Sequence, residues 1–267
     1  MDQSPAMADK PETIASIRRA VQSETFTTED LIRWGADPRR GVQSLCAQAQ
    51  RMLQKNADEQ KRLADMSTIE RGLWQRGARW IAGVDEVGAG PLAGPVVAAA
   101  VVLPPDCLIV GVDDSKKLSA KRRELLNKEI LEHAEAYAVG SCSPEEIDEL
   151  NIYQAGREAM RRAIKGLPRR PDHVLVDART IPSIGCPQRA VPGGDRRSHS
   201  IAAASIVAKV YRDALMDRIG DEYPDYGFES HRGYGTRAHL QALSKWGPTP
   251  WHRRSFAPVR AAFSAGG

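Results

Sequence analysis

The chain predicts an α/β sheet domain preceded by a small helical extension. Two observations over its 267 residues carry that reading. From Ala78 onward, short apolar runs rich in β-branched residues alternate with helical stretches. Before Ala78 the sequence is polar and helical, with no comparable apolar run.

Residues 1–10 read as a flexible tail. Helical sequence then runs from Thr13 to about Trp74. Thr28 followed by Glu29-Asp30 is a helix start, with a capping side chain and acids in the first turn. The loop Gly35-Ala36-Asp37-Pro38 precedes a second helical run, Gly41 to about Asp65. Residues 1–77 are therefore a helical extension of two or three helices, whose ordinary role would be packing. Residues 79–86 read as a strand and 95–103 as a second, buried one. Ser119 caps a helix through about Glu135, and 136–141 form a strand. Ser143-Pro144-Glu145-Glu146 opens a helix, with Ser at the N-cap, Pro at N1 and Glu at N3. That helix extends to about Ile164 with a break near Leu150-Asn151. A strand follows at 173–177, and a long helix runs from Ser200 to about Ile219. The sheet domain spans 78–262, and 263–267 is a short flexible tail.

Composition bounds the function. With 42% apolar and 27% charged residues, wholesale disorder is excluded. No apolar stretch reaches membrane-spanning length, the best being Pro95 to Pro105, so no membrane role is expected. The N-terminus lacks a signal-peptide core. Four cysteines, Cys46, Cys107, Cys142 and Cys186, are far apart and read as free thiols of a cytoplasmic protein. A net charge of +4 and a pI near 8.9 point weakly to a polyanionic partner. The distribution says more: basic residues crowd Lys116-Lys117, Lys121-Arg122-Arg123, Arg161-Arg162, Arg169-Arg170, Arg196-Arg197 and His252-Arg253-Arg254. Most of these flank Gly- or Pro-containing loops, where a phosphate backbone could be held.

The chemistry centres on Asp85-Glu86, where the first apolar strand meets the turn Gly88-Ala89-Gly90. Adjacent carboxylates at the end of a buried strand are costly unless a cation compensates them. Asp177 ends another strand, and Asp195 follows Gly193-Gly194. Sites in α/β sheets gather beyond the carboxyl ends of strands. Four acids without a His or Cys ligand cluster favour Mg²⁺ or Mn²⁺ over Zn²⁺. Taken singly, Asp195 reads as a turn residue; as a set, the acids are better explained by metal, which suits hydrolysis of a phosphodiester. Lys116 and Lys117, in Asp114-Ser115-Lys116-Lys117-Leu118-Ser119, are phosphate candidates, although an adjacent lysine pair is ordinarily just solvated. Tyr234, between Gly233 and Gly235, is placed to lie against a sugar or base, or else to cover the sheet edge. Trp251-His252-Arg253-Arg254-Ser255-Phe256 is basic with interleaved aromatics, or a surface helix end packed through Phe256.

These motifs, in this order, closely resemble the bacterial ribonuclease HII family. The matching text is Gly83-Val84-Asp85-Glu86-Val87-Gly88, Gly90-Pro91-Leu92-Ala93-Gly94-Pro95-Val96-Val97, Asp114-Ser115-Lys116-Lys117-Leu118-Ser119, Leu175-Val176-Asp177, Gly194-Asp195 and Ser200-Ile201-Ala202-Ala203-Ala204-Ser205-Ile206. It continues through Ala208-Lys209-Val210, Tyr226-Gly227-Phe228, Gly233-Tyr234-Gly235-Thr236 and Ser255-Phe256-Ala257-Pro258, covering about 79 to 259. The extension, with Asp37-Pro38-Arg39-Arg40-Gly41, looks like the longer form of the family. The resemblance implies an RNase H-like fold, a central mixed five-stranded sheet flanked by helices. It implies a monomer that hydrolyses the RNA strand of RNA–DNA hybrids and incises 5′ to single ribonucleotides in duplex DNA, the start of ribonucleotide excision repair. The products would carry 3′-hydroxyl and 5′-phosphate ends. Asp85, Glu86, Asp177 and Asp195 would hold the metals. Gly88, Ala89 and Gly90 would read the ribose 2′-hydroxyl through backbone groups, and Tyr234 would stack on the deoxyribose just after the ribonucleotide. Lys116 or Lys117 would touch a phosphate.

One position departs from the family pattern. Ala89 stands where the family carries an arginine between two glycines. Backbone shape survives that change, but a charge-assisted contact worth about 1.5–3 kcal/mol does not. Weakened activity is the expectation, with Ala89→Arg raising hybrid cleavage. A competing reading is a protein that binds hybrid or junction DNA and cuts little; a third is another nuclease or transposase on the same fold.

Overall fold

The computed structural model describes residues 12–265, so the expected tail at 1–10 lies outside the described residues, as do 266–267. The chain divides into two compact units at Arg62/Leu63.

In the first unit lie α1 (Ile14–Gln22), α2 (Thr28–Gly35) and most of α3 (Arg40–Met66), which runs across the division. Ile17, Val21, Trp34, Val42, Leu45, Cys46 and Ala49 form its core. The cap of α2 is Thr27, one residue before the Thr28 expected: its hydroxyl accepts from Asp30 N–H while the Asp30 carboxylate accepts from Thr27 N–H.

The second unit adds α4 (Thr68–Gln75), β1 (Ile81–Val87), β2 (Val96–Val102), α5 (Ala120–His133), β3 (Ala136–Cys142), α6 (Pro144–Leu150) and α7 (Ile152–Lys165). Then follow β4 (His173–Asp177), β5 (Gln188–Val191), α8 (His199–Glu222), α9 (Phe228–His231), α10 (Arg237–Trp246) and α11 (Ala257–Ala265). The compact unit begins at 63 and so takes in α4, which the sequence texture groups with the leading helices. Leu73, with Ile69 and Trp74 beside it, packs into a cluster with Ile81, Leu175, Val191 and Ile201 of the sheet and α8. Glu70 fastens α4 further. Its Oε1 accepts from Ser198 Oγ at 2.6 Å, from Ser200 Oγ at 2.8 Å and from Ser200 N–H at 3.1 Å, bracing the first turn of α8. At the other end, α11 continues to Ala265, so 263–265 are helical where a flexible tail was expected.

The sheet has the order β3-β2-β1-β4-β5. β1, β2 and β3 form an antiparallel meander, while β4 and β5 run parallel to β1. This is the mixed five-stranded sheet expected. Every residue of β2 is buried, as its unbroken Val-Val-Ala-Ala-Ala-Val-Val text requires. One face packs Ala82, Val84, Ala98, Ala100 and Val176 against Ile147 of α6 and Ala155, Ala159 and Met160 of α7. The other packs Ala99 and Val101 against Leu126 and Ile130 of α5 and the Ala202–Ala208 stretch of α8. Helix α8 lies so close to β1 that a Cβ on Gly83 would overlap the Ser200 carbonyl group. Only glycine fits there. The expected break between α6 and α7 falls on Asn151, whose φ of 67° turns the chain and whose side chain caps α7 by accepting from Gln154 N–H at 3.1 Å. No helix among the described residues is long and apolar enough to cross a membrane.

Candidate active site

Strand β1 carries Asp85 and Glu86 on opposite faces, because successive side chains alternate along a strand. Asp85 faces α8. It accepts from the Glu86 N–H at 2.7 Å and takes a hydrogen bond from Ser205 of α8. The Ser205 and Ser115 hydroxyls are 2.9 Å apart, so the loop after Asp114 joins the same cluster. Glu86 faces α7, with its Cγ 4.0 Å from where a Cβ of Gly156 would stand. Asp177 ends β4, hydrogen-bonded alongside β1. Its Oδ1 accepts from Gly194 N–H at 2.7 Å, which draws the short helical turn Gly194–Arg196, and Asp195 with it, to the sheet.

Four carboxylates therefore lie near one another where β1 and β4 end, and three of them, Asp85, Glu86 and Asp195, are held above their usual range. Asp85 is only 7% exposed; burial first, then the charges of Glu86 and Asp177, push its carboxyl well above the usual range. Burial raises Glu86 as well, with Arg179 opposing and Asp177 reinforcing. Asp195, 8% exposed, is raised by burial and then by Asp114 and Asp177. Glu86 Oε2 is buried with no hydrogen-bond partner, while Oε1 lies 3.2 Å from Arg179 Nη2. The hard-oxygen donor set and the orphaned Glu86 oxygen fit a divalent cation. The acids are neighbours by charge rather than a closed cage: among the described residues, no three His, Cys, Asp or Glu side chains already converge as ligands of one ion.

The two lysines part company. Lys117 Nζ lies 3.2 Å from Asp113, whereas the charge of Lys116 acts on both Glu86 and Asp195. Asp114, named in the sequence only as part of a motif, also reaches Asp195.

The glycine turn sits beside Tyr234. Gly88 has φ 88°, and a Cβ there would overlap the Arg212 guanidinium. A Cβ on Gly90 would stand 3.6 Å from the Tyr234 ring. Tyr234 is itself 46% exposed, so it is available to a ligand rather than spent on the core.

Behind this surface lie groups whose role sequence reasoning missed. Arg253 was read as part of a phosphate-holding segment, but it is fully buried. It donates to the carbonyls of Gly88 at 2.6 Å, Ala89 at 3.0 Å and Gly94 at 2.8 Å. Arg212, also fully buried, donates to the carbonyls of Ala93, Pro95 and Arg232. Burial pulls both guanidiniums down, to about 9 for Arg253 and about 10 for Arg212, and both stay charged at neutral pH.

Three imidazoles hold the Tyr234 backbone. Thr249 N–H donates to His252 Nδ1 at 3.0 Å, so neutral His252 carries its proton on Nε2. Nε2 then donates to His239 Nε2 at 3.0 Å, which leaves His239 Nδ1–H to donate to the Tyr234 carbonyl at 2.9 Å. His231, stacked on His239 with centroids 4.4 Å apart, accepts from Gly233 N–H at 3.2 Å. In the sequence this scaffold left two traces, His231 beside Gly233-Tyr234-Gly235 and the basic, aromatic text around His252.

Clustered carboxylates on the central strands of this mixed sheet, beside a basic loop and an exposed tyrosine, define a hydrolytic nuclease of the RNase H-like class. The comparisons with known proteins narrow it. The family model "Ribonuclease HII" matches residues 82–259, and "Ribonuclease HII N-terminal domain" matches 13–74. Ribonuclease HII of Myxococcus xanthus is 52% identical over 92% of this chain and 84% of its own length. Among solved structures, ribonuclease H2 from Pyrococcus horikoshii OT3 superposes with a TM-score of 0.61 at 27% identity, covering 70% of this chain and 98% of that one. Bst-RNase HIII in complex with Mn²⁺ shares the fold, with a TM-score of 0.51 at 18% identity over 72% and 71% of the two chains. The chain belongs to the ribonuclease HII family. As a member it is an endoribonuclease, a hydrolase that cuts the RNA strand of RNA–DNA hybrids and cuts at single ribonucleotides in duplex DNA. The reading as a binding protein with little cleavage is not favoured.

Proposed function

We propose that Asp85, Glu86, Asp177 and Asp195 hold divalent ions, Mg²⁺ or Mn²⁺, and that the scissile phosphate is positioned against them. The observation that carries this is the buried, partnerless Glu86 Oε2 within a set of acids whose charges burial and proximity make costly. Bound there, the ions would activate water and stabilise charge on the phosphate oxygens. The remaining work falls to the chain's own residues. Backbone groups of Gly88, Ala89 and Gly90 meet the ribose 2′-hydroxyl, at a turn whose carbonyls Arg253 holds in place. Tyr234 stacks on the next deoxyribose, so that an RNA-to-DNA junction fits best. Lys116, whose charge acts on Glu86 and Asp195, is the lysine placed to meet a phosphate. A water oxygen attacks phosphorus in line with the departing 3′-oxygen, and the P–O3′ bond breaks. The upstream strand keeps a 3′-hydroxyl and the ribonucleotide keeps a 5′-phosphate.

On this reading the protein acts as a cytoplasmic monomer in ribonucleotide excision repair. Product mapping on a duplex strand with one ribonucleotide tests the reading. A nick on the 5′ side that requires divalent metal is expected. A nick elsewhere, or cleavage undiminished by chelator, would overturn it.

A further inference from the structure

Arg179 lies two residues past Asp177 and is absent from every motif described above. Ala178 takes φ 57°, a left-handed conformation unusual for alanine, and Arg179 N–H donates to the Asp177 carbonyl at 2.6 Å. That tight turn folds the chain back, so that the Arg179 guanidinium reaches Glu86. The same guanidinium lies 5.1 Å from the Tyr153 ring centroid, and that of Arg157 lies 5.5 Å from the same ring. Tyr153 and Arg157 are one turn apart on α7, and Tyr153 is half exposed. Arg157 makes no ion pair among the described residues, and its Nε is buried without a partner. Its neighbours differ: Arg161 and Arg162 are neutralised by Glu158, the latter also by Glu146. A cavity of about 380 Å³ continues from Arg157 along α7 to Pro182 and Ser183 of the β4–β5 connection.

We propose that Arg179 and Arg157, set around Tyr153, form a phosphate subsite for the nucleic-acid backbone on the α7 side of the acids. It rests on the nuclease reading above and adds a binding element to it. A polyanion approaching four carboxylates needs fixed positive charge free to meet it, and the glycine turn offers none from its own side chains, while the Arg253 and Arg212 guanidiniums behind it are spent on backbone carbonyls. Guanidiniums suit the task, since their planar forks match phosphate oxygens and their faces stack on tyrosine. The subsite supplies from the other side of Glu86 the charge that Ala89 lacks.

The test is equilibrium binding of a fluorescent duplex with one embedded ribonucleotide, in chelator, across a salt series. Wild type, Arg179→Ala and Arg157→Ala are compared, with circular dichroism and melting to verify folding. Each variant is expected to raise Kd roughly tenfold and to lower the slope of log affinity against log salt by about 1. Ala89→Arg added to Arg179→Ala is expected to restore both. Wild-type slope and Kd in both variants would overturn the subsite. A higher Kd with an unchanged slope in Arg179→Ala would also overturn it, making Arg179 only the counter-ion of Glu86. If Arg179→Ala fails to fold, Arg157→Ala decides alone by the same criteria. Wild-type protein that nicks the duplex with metal while the variants bind normally removes the subsite and leaves the nuclease reading intact. Wild-type protein that neither binds nor nicks removes both.

Discussion

Two regions flank the substrate face, and they handle buried charge in opposite ways. At the strand ends, Asp85, Glu86 and Asp195 are raised by burial first and then by neighbouring carboxylates, Asp177 acting on all three, and Glu86 Oε2 has no hydrogen-bond partner. Under the glycine turn, Arg253 and Arg212 are just as buried, and their donors end on backbone carbonyls. The first region leaves its charge open to a ligand. The second spends its charge on holding a backbone shape. On the proposed function, the contrast separates chemistry from reading: the acids would be completed by a cation, while the arginines already fix the turn through its carbonyls.

The largest effect that sharpens this contrast is Asp177→Asn. Removing one ligand charge should cut kcat/KM on the order of a thousandfold. Circular dichroism should show the fold retained. An active Asp177→Asn enzyme would remove Asp177 from the catalytic set. Arg253→Met comes next. It leaves the carbonyls of Gly88, Ala89 and Gly94 without their donors, at a cost of about 3 kcal/mol. Denaturant unfolding should show that loss, and hybrid cleavage should fall with it. If stability is untouched, the turn is held by something else.

The pH responses should also be opposed. Burial, then His239, hold the His252 imidazole down at about 4. The unfolded chain, near 6.5, binds that proton first, so stability is present at neutral pH and lost as pH falls from 6.5 through 4. The loss should approach roughly 3 kcal/mol, read by urea unfolding at several pH values. It should shrink in His252→Asn, whose side-chain oxygen can still accept from Thr249 N–H. The acids behave the other way. Their folded carboxyls are raised, so the folded state takes protons first and is most stable below those raised values, losing stability as pH climbs through them. The smallest effect follows from this. Asp85→Asn should raise the melting temperature of metal-free protein at pH 7 by about 2–4 °C while abolishing cleavage. A lower melting temperature would mean that Asp85 is a structural anchor through Ser205.

Most of the sheet unit was legible because its signals are local. Buried strands were marked by unbroken Val and Ala runs, helix starts by Ser119 and Ser143, and the α6–α7 break by Asn151. The acids were legible because carboxylates at strand ends need a reason. Strand β5 was not read as an element from its own text: it has four residues, sits at the sheet edge and lies between Pro187 and Pro192. The roles of Arg212, Arg253 and His252 were hidden for a different cause. Basic side chains are ordinarily solvated, and these are satisfied by distant carbonyls and imidazoles that leave no trace in local sequence. The choice between Lys116 and Lys117 likewise depended on where Asp113 stands.

Helix α4 bears on how this enzyme can be cut down. Glu70 braces the first turn of α8, accepting from Ser200 N–H and from the hydroxyl of its N-cap residue, Ser198, and Leu73 closes the cluster over β1 and β4. By sequence texture these residues go with the leading helices, but by allegiance they are the catalytic unit's own. A truncation to 63–267 keeps both and should yield a soluble, well-folded fragment. One to 78–267 leaves Ser200 N–H and the Ser198 hydroxyl without their Glu70 acceptor and should express poorly, so the practical start of a minimal enzyme is set by a glutamate outside the sheet.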